Sequence, residues 1–170
     1  MAEQLARFNA LSESEARGEL TRCCGATRWV EAMLKARPFA SPQALHHAAD
    51  TVWAGLRPED FREAFAHHPE IGANVAELRR KFSATHDLSQ AEQAGVDEAS
   101  EATLRALASE NRSYREHFGF SFIVCATGKS APEMLDILRR RMGHAPEIEL
   151  AIAAAEQAKI THLRLEKIGS

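Results

Sequence analysis

Hydrophobic positions recur with helical spacing along most of the chain. The clearest run is Leu104, Leu107, Asn111, Tyr114 and Phe118, whose alternating gaps of three and four place all five side chains on one face of a long helix. Asn111 therefore sits on an apolar stripe, where its amide needs a hydrogen-bond partner. Alternation of period two is almost absent. The β-like run Phe118-Gly119-Phe120-Ser121-Phe122-Ile123-Val124 is too short and solitary to build a sheet.

Helix starts are marked by Ser12 with Glu15 and Ser130 with Glu133, which have capping-box spacing. Ser41-Pro42 and Ala145-Pro146 place proline in a first turn. The pattern predicts helices over 2–8, 12–24, 26–36, 42–55, 58–67, 74–84, 89–93, 98–118, 131–142 and 146–166. Breaks are expected at Pro38, Gly55 with Pro58, Pro69 with Gly72, Gly95, Gly128 and Gly143. The expected fold is all-α: one compact domain over 1–170 with about eight to ten helices and no sheet.

Composition narrows the function classes. A chain of 170 residues buries roughly two thirds of its unfolded surface without help from a metal or disulfides. Hydrophobic residues at 45% and charged residues at 26% exclude a disordered or fibrous chain. Lys plus Arg number 21 against 24 Asp plus Glu, so no basic footprint points to nucleic acid. The uncharged run Phe118 to Thr127 is about half of what a membrane-spanning helix needs. The start Met1-Ala2-Glu3-Gln4 lacks the basic and apolar regions of a signal peptide, and the last residues Ile168-Gly169-Ser170 are not a peroxisomal address. Cys23, Cys24 and Cys125 are odd in number, with two of them adjacent, which argues against a disulfide framework and for a reducing cytoplasm.

Four segments carry candidate chemistry. In His67-His68-Pro69, the proline disfavours helical dihedrals for His68, so the helix should end there and present His68 in an extended conformation. The same pair also serves as an ordinary helix stop. The helix C-terminal dipole favours an imidazolium, and burial opposes it. In Ser89-Gln90-Ala91-Glu92-Gln93, a capping box explains Ser89 and Glu92 but leaves Gln93 unexplained, and free N–H groups at that helix start suit an anion. From Asn111 to Ile123, Tyr114, Phe118, Phe120 and Phe122 crowd together, and core packing alone accounts for them. Arg164 lies between Leu163 and Leu165. A lone arginine there is commonly solvated unless an anion needs a bidentate clamp.

Other patterns carry less. The eight histidines lack metal-ligand spacing, and no phosphate-binding glycine loop is present. Arg79-Arg80-Lys81 and Arg139-Arg140-Arg141 read as solvated helix faces. Cys23-Cys24 reads as small core packing. On these features alone, a non-catalytic helical binding module stands beside an enzyme, and a metal-dependent lyase using His67, His68 and His86 is a third reading.

In that order, the segments resemble the 2-oxo-4-hydroxy-4-carboxy-5-ureidoimidazoline (OHCU) decarboxylases, which complete the conversion of urate to (S)-allantoin. The resemblance rests on Cys24-Gly25-x-x-Arg28-Trp29, Arg37-Pro38-Phe39, His68-Pro69-x-Ile71-Gly72, Ser89-x-x-Glu92-Gln93, Asn111-x-x-Tyr114-x-x-x-Phe118-Gly119-Phe120-x-Phe122-Ile123 and Lys159-Ile160-x-x-x-Arg164-Leu165. Ala26 stands where the family frequently has serine, and Glu70 where it frequently has arginine. The resemblance implies an all-helical, commonly dimeric enzyme with no metal or organic cofactor. It also implies that His68 is the catalytic histidine, with Pro69, Ser89, Glu92, Gln93, Phe122, Ile123 and Arg164 lining the substrate pocket.

The substrate's carboxylate leaves a carbon that bears a hydroxyl and adjoins a C=N bond, so the substrate is its own electron sink. Glu92 would hold the hydroxyl and accept its proton while His68 assists carboxylate loss and proton relocation, with Arg164, Ser89 and Gln93 fixing the polar edge. Which of His68 and Glu92 moves which proton stays open on sequence alone.

Overall fold

The computed structural model describes residues 2–68, 75, 76, 78 and 90–170, and over 90–100 the backbone alone. Its helices are α1 (Ala2–Ala10), α2 (Glu13–Cys23), α3 (Thr27–Ala36), α4 (Pro42–Ala54), α5 (Pro58–Ala66), α6 (Gln90–Phe118), α7 (Ala131–Arg141) and α8 (Pro146–Leu165). There is no strand among the described residues, so the chain is all-α as its periodicity implies. No helix of these residues is long and apolar enough to cross a membrane.

Local chemistry sets the helix starts. The Ser12 N–H donates to the Glu15 carboxylate at 2.9 Å while the Ser12 hydroxyl accepts from the Glu15 N–H, and Ser130 with Glu133 repeats the box at α7. Ser41 accepts the Ala44 N–H at 3.1 Å ahead of Pro42. The expected break at Gly95 does not occur: α6 runs unbroken for 29 residues. One glycine costs a helix about 1 kcal/mol, too little to interrupt a ladder that continues on both sides. Most of the expected helix 74–84 lies outside the described residues.

The chain divides into two compact units, one joining the residues up to His68 with Leu150–Ser170, the other holding the intervening residues up to Glu149. In the first unit, α3 packs on α2, α4 and α5 around Leu20, Trp29, Met33, Leu45 and Phe65. Trp29 donates its indole N–H to the Ala49 carbonyl at 3.2 Å, and Trp53 to that of Ala154 at 3.1 Å. Both large rings thus bury area with their polar atom satisfied. Nη2 of Arg37 donates to the carbonyls of Phe8, Asn9 and Leu11 at 2.9, 3.0 and 2.8 Å, and Phe39 stacks on Phe8. Arg37-Pro38-Phe39 therefore clamps the end of α1.

In the second unit, α6 packs against α7, burying Leu104, Leu107, Tyr114 and Phe118 on one side and Met134 and Leu138 on the other. Asn111, on the same stripe, is half-buried and donates to its own helix's Leu107 carbonyl at 2.8 Å, a structural role. Gly119, at φ +76°, ends α6 in the left-handed conformation.

The basic run at the end of α7 is not simply a solvated face. Arg139 pairs with Glu110, but Arg141 is buried and ion-paired at 2.5 Å with Glu149, which is wholly buried. A guanidinium leaves water only where a carboxylate and further acceptors replace it, and charge counting along a run does not reveal that partner.

Candidate active site

His68 closes the turn that ends α5, with its N–H on the Phe65 carbonyl at 3.1 Å. Its half-buried ring has a partner at each nitrogen. Nε2 lies 2.5 Å from Oε1 of Gln157, and Nδ1 lies 3.5 Å from Nη2 of Arg164. Gln157 is fully buried, and its amide N–H₂ donates to Thr161 Oγ1 at 3.1 Å. The other terminal nitrogen of Arg164 donates to the carbonyls of Arg22 and Cys23 at 3.1 and 3.4 Å, the last carbonyls of α2. A cation at a helix C-terminus satisfies orphan carbonyls and the dipole together. Arg164 is therefore anchored and half-buried, not a freely solvated residue.

Burial holds the His68 imidazole below its ordinary value, with Arg164 and His67 adding repulsion and the Gln157 hydrogen bond opposing them. Of the two opposing influences expected at this helix end, burial wins and favours the neutral ring. Cys23 and Cys24, behind Arg164, are buried thiols pushed up to about 12 and about 11 by desolvation, so neither supplies a thiolate nucleophile. Arg164 also borders a depression of about 420 Å³ shared with Arg22 and Lys167, a basic recess relieved by Glu19. Among the described residues no three His, Cys, Asp or Glu side chains group closely enough to hold a metal.

The second unit holds Phe122 and Ile123, both buried in the irregular segment after α6. Arg141 donates to the Ile123 carbonyl at 2.7 Å and lies over the Phe122 ring, 4.7 Å from its centroid. Glu149 accepts from Arg141 Nε at 2.6 Å and from the Tyr114 hydroxyl, and its second oxygen lies 3.0 Å from His144 Nδ1. The Ile123 carbonyl and the Phe122 ring are thus held by a buried hydrogen-bonded network.

Of the sequence candidates, His68 and Arg164 come together. Glu92 and Gln93 lie in the first turn of α6, with only their backbone described, while Pro69 and Ser89 lie outside the described residues, as do Glu70 and His86. Gln157 and Thr161 were missed. Their signal was a polar stripe: Gln157, Thr161 and Arg164 stand at i, i+4 and i+7 on α8, one face of a helix otherwise rich in alanine.

A family model for OHCU decarboxylase matches residues 9–166. The chain belongs to the OHCU decarboxylase family. Within this family, it is similar to a solved OHCU decarboxylase crystallised in the presence of (S)-allantoin, at 35% identity and a TM-score of 0.71 over 88% of this chain and 95% of that one. It is 29% identical to the 2-oxo-4-hydroxy-4-carboxy-5-ureidoimidazoline decarboxylase of Amia calva over 81% of this chain and 77% of that protein. It is 36% identical to the uric acid degradation bifunctional protein TTL of Arabidopsis thaliana over 87% of its own length, and spans only 45% of that relative.

Proposed function

We propose that the chain decarboxylates 2-oxo-4-hydroxy-4-carboxy-5-ureidoimidazoline to (S)-allantoin in urate degradation, with no metal or organic cofactor. The observation that carries this reading is the half-buried His68 ring 3.5 Å from the anchored Arg164 guanidinium, a proton-transfer group beside an anion-binding one. When the carbon–carboxylate bond breaks, its electron pair moves toward the neighbouring C=N unit, whose nitrogen takes a proton. The resulting enol then loses its hydroxyl proton and gains one at carbon. The protein needs only to orient the substrate and move protons, and placing the last proton on one face makes a single enantiomer.

In this reading His68 and Glu92 carry the protons, and Arg164 grips the ring or ureido oxygens. Pro69, Ser89, Gln93, Phe122 and Ile123 are the further substrate-binding residues of this reading. The buried thiols Cys23 and Cys24 support a reducing, cytoplasmic setting, and the family resemblance supports a homodimer. Mixing the protein with freshly generated substrate tests the activity. Optically pure (S)-allantoin, formed with accelerated carbon dioxide release and unaffected by prior dialysis against a chelator, is the expected outcome. Racemic product at the spontaneous rate would leave a binding module.

A further inference from the structure

The hydrogen bonds around His68 determine which of its nitrogens holds the proton. The Thr161 hydroxyl has two groups to donate to on the far side from Gln157, the Cys23 carbonyl 3.5 Å away, which also takes Arg164, and the sulfur of Cys24. With its hydrogen on that side, Thr161 Oγ1 accepts from the Gln157 amide nitrogen at 3.1 Å, and the amide oxygen is turned toward His68. That oxygen can only accept, so His68 Nε2 carries the hydrogen and the lone pair of the neutral ring is on Nδ1. Nδ1 faces Arg164 Nη2, a group that can only donate, in agreement with that assignment.

We propose that Gln157, oriented by Thr161, is a positioning residue that holds neutral His68 as its Nε2–H tautomer, so that the catalytic proton enters and leaves at Nδ1 beside Arg164. This rests on the reading of His68 as the proton-transfer residue. When Nδ1 takes a proton, its lone pair forms the N–H bond and the former bonding pair stays on the substrate atom. Giving the proton up restores the neutral ring. The charged groups facing the ring are Arg164 on α8 and, when protonated, the neighbouring His67; both repel the imidazolium and favour return of the proton. Gln157 works against them by accepting from Nε2–H, so it maintains orientation without trapping the charge.

The test pairs ¹⁵N NMR of the histidine rings with kinetics. In the unmodified protein above the His68 titration, Nε2 should carry the hydrogen and Nδ1 should show the shift of a bare nitrogen. Gln157→Met should lower kcat roughly 10- to 100-fold, as expected for a misaligned proton-transfer group, with KM changed much less. Gln157→Glu places a carboxylate on Nε2–H and should move the His68 titration, and the acidic limb of the rate profile with it, upward by about 1 pH unit or more. A hydrogen on Nδ1 in the unmodified protein, or wild-type kcat in a folded Gln157→Met, overturns the proposal. His68→Ala in the same assay separates the two claims: if it keeps full activity, the catalytic reading of His68 fails, whereas if it is inactive beside an active Gln157→Met, only the role of Gln157 fails. Should Gln157→Glu not fold, the unmodified spectrum and Gln157→Met still decide.

Discussion

The ring of His67 lies directly against the backbone of Gly25: a β-carbon added at Gly25 would stand 2.2 Å from Cγ of His67. Only a residue without a side chain lets this ring settle there, one position before His68. Gly25→Ala should therefore push the turn that carries His68, costing about 1–3 kcal/mol of stability and roughly tenfold or more in kcat. Because the β-carbon of His67 would itself stand 2.6 Å from the added one, only His67→Gly removes the second party to the clash, and adding it to Gly25→Ala should restore most of the lost stability and kcat. A harmless Gly25→Ala, or a double variant no better than the single, would remove the steric link.

His68→Ala should keep the fold and lower kcat by at least ~10², the lower end of what a positioned acid or base contributes. His67→Ala should do much less, since its exposed ring packs on Gly25 and takes no part in the Gln157 and Arg164 bonds. Allantoin formation measured for both variants decides it, and equal losses would mean that the site does not single out His68.

Arg164→Lys tests the clamp. Lysine retains the charge but cannot reach the α2 carbonyls and offer a second, in-plane donor at the same time. The expected result is a fall in kcat/KM of roughly tenfold or more, about 1.4 kcal/mol, with at most about 1 kcal/mol of stability lost. Steady-state kinetics beside a melting curve would show it; unchanged kinetics would leave Arg164 as a helix cap alone.

Arg141 and Glu149 form a buried pair whose value lies in both members being present. Arg141→Met leaves Glu149 enclosed without its cation and should cost about 3–5 kcal/mol in chemical denaturation. Arg141→Met with Glu149→Leu removes both charges and should recover a good part of that loss. If the double variant is no more stable than Arg141→Met, the loss reflects packing and not a stranded charge. The same network raises the Tyr114 phenol above its ordinary range, through burial first and the Glu149 hydrogen bond second.

Acid should destabilise the fold through its histidines. His46 is held below the usual 6.5 by burial and then by His162, against the pull of Glu166 and Asp50, and His68 is lowered chiefly by burial. Nδ1 of His46 and Nδ1 of His162 are 2.8 Å apart and share one hydrogen, while His162 Nε2 meets Asp50 at 2.6 Å. The unfolded chain takes up these protons near its ordinary value and the folded chain only at lower pH. Stability is therefore complete above about pH 6.5 and is lost as pH falls through the folded values. Melting curves from about pH 7.5 to about pH 5 should fall less steeply for His46→Gln than for the unmodified chain. Identical slopes would exclude His46 from the effect.

Much of this molecule was legible as sequence because the deciding forces are local. Ser12, Ser41 and Ser130 cap helices by reaching backbone groups three residues away, and Leu104, Leu107, Tyr114 and Phe118 mark one buried face by spacing alone. His68 and Arg164 stood out for the same reason, one beside a helix-stopping proline and the other between leucines. Gly95 misled because its local cost was real but smaller than the cooperativity of the helix containing it.

What tertiary structure alone decided is the fate of polar groups, because a buried charge or amide is tolerable only when a partner meets it. Gln157 lies 89 residues from His68, and nothing near Gln157 in the chain announces the imidazole that its oxygen meets. Arg141 looks like the last of three solvated arginines until Glu149, Tyr114 and the Ile123 carbonyl close around it. Gly25 is an ordinary loop glycine until the ring of His67 lies on it. The sequence determined the helices and named the histidine and arginine; the packing chose their partners, and with them the charge, tautomer and aim of His68.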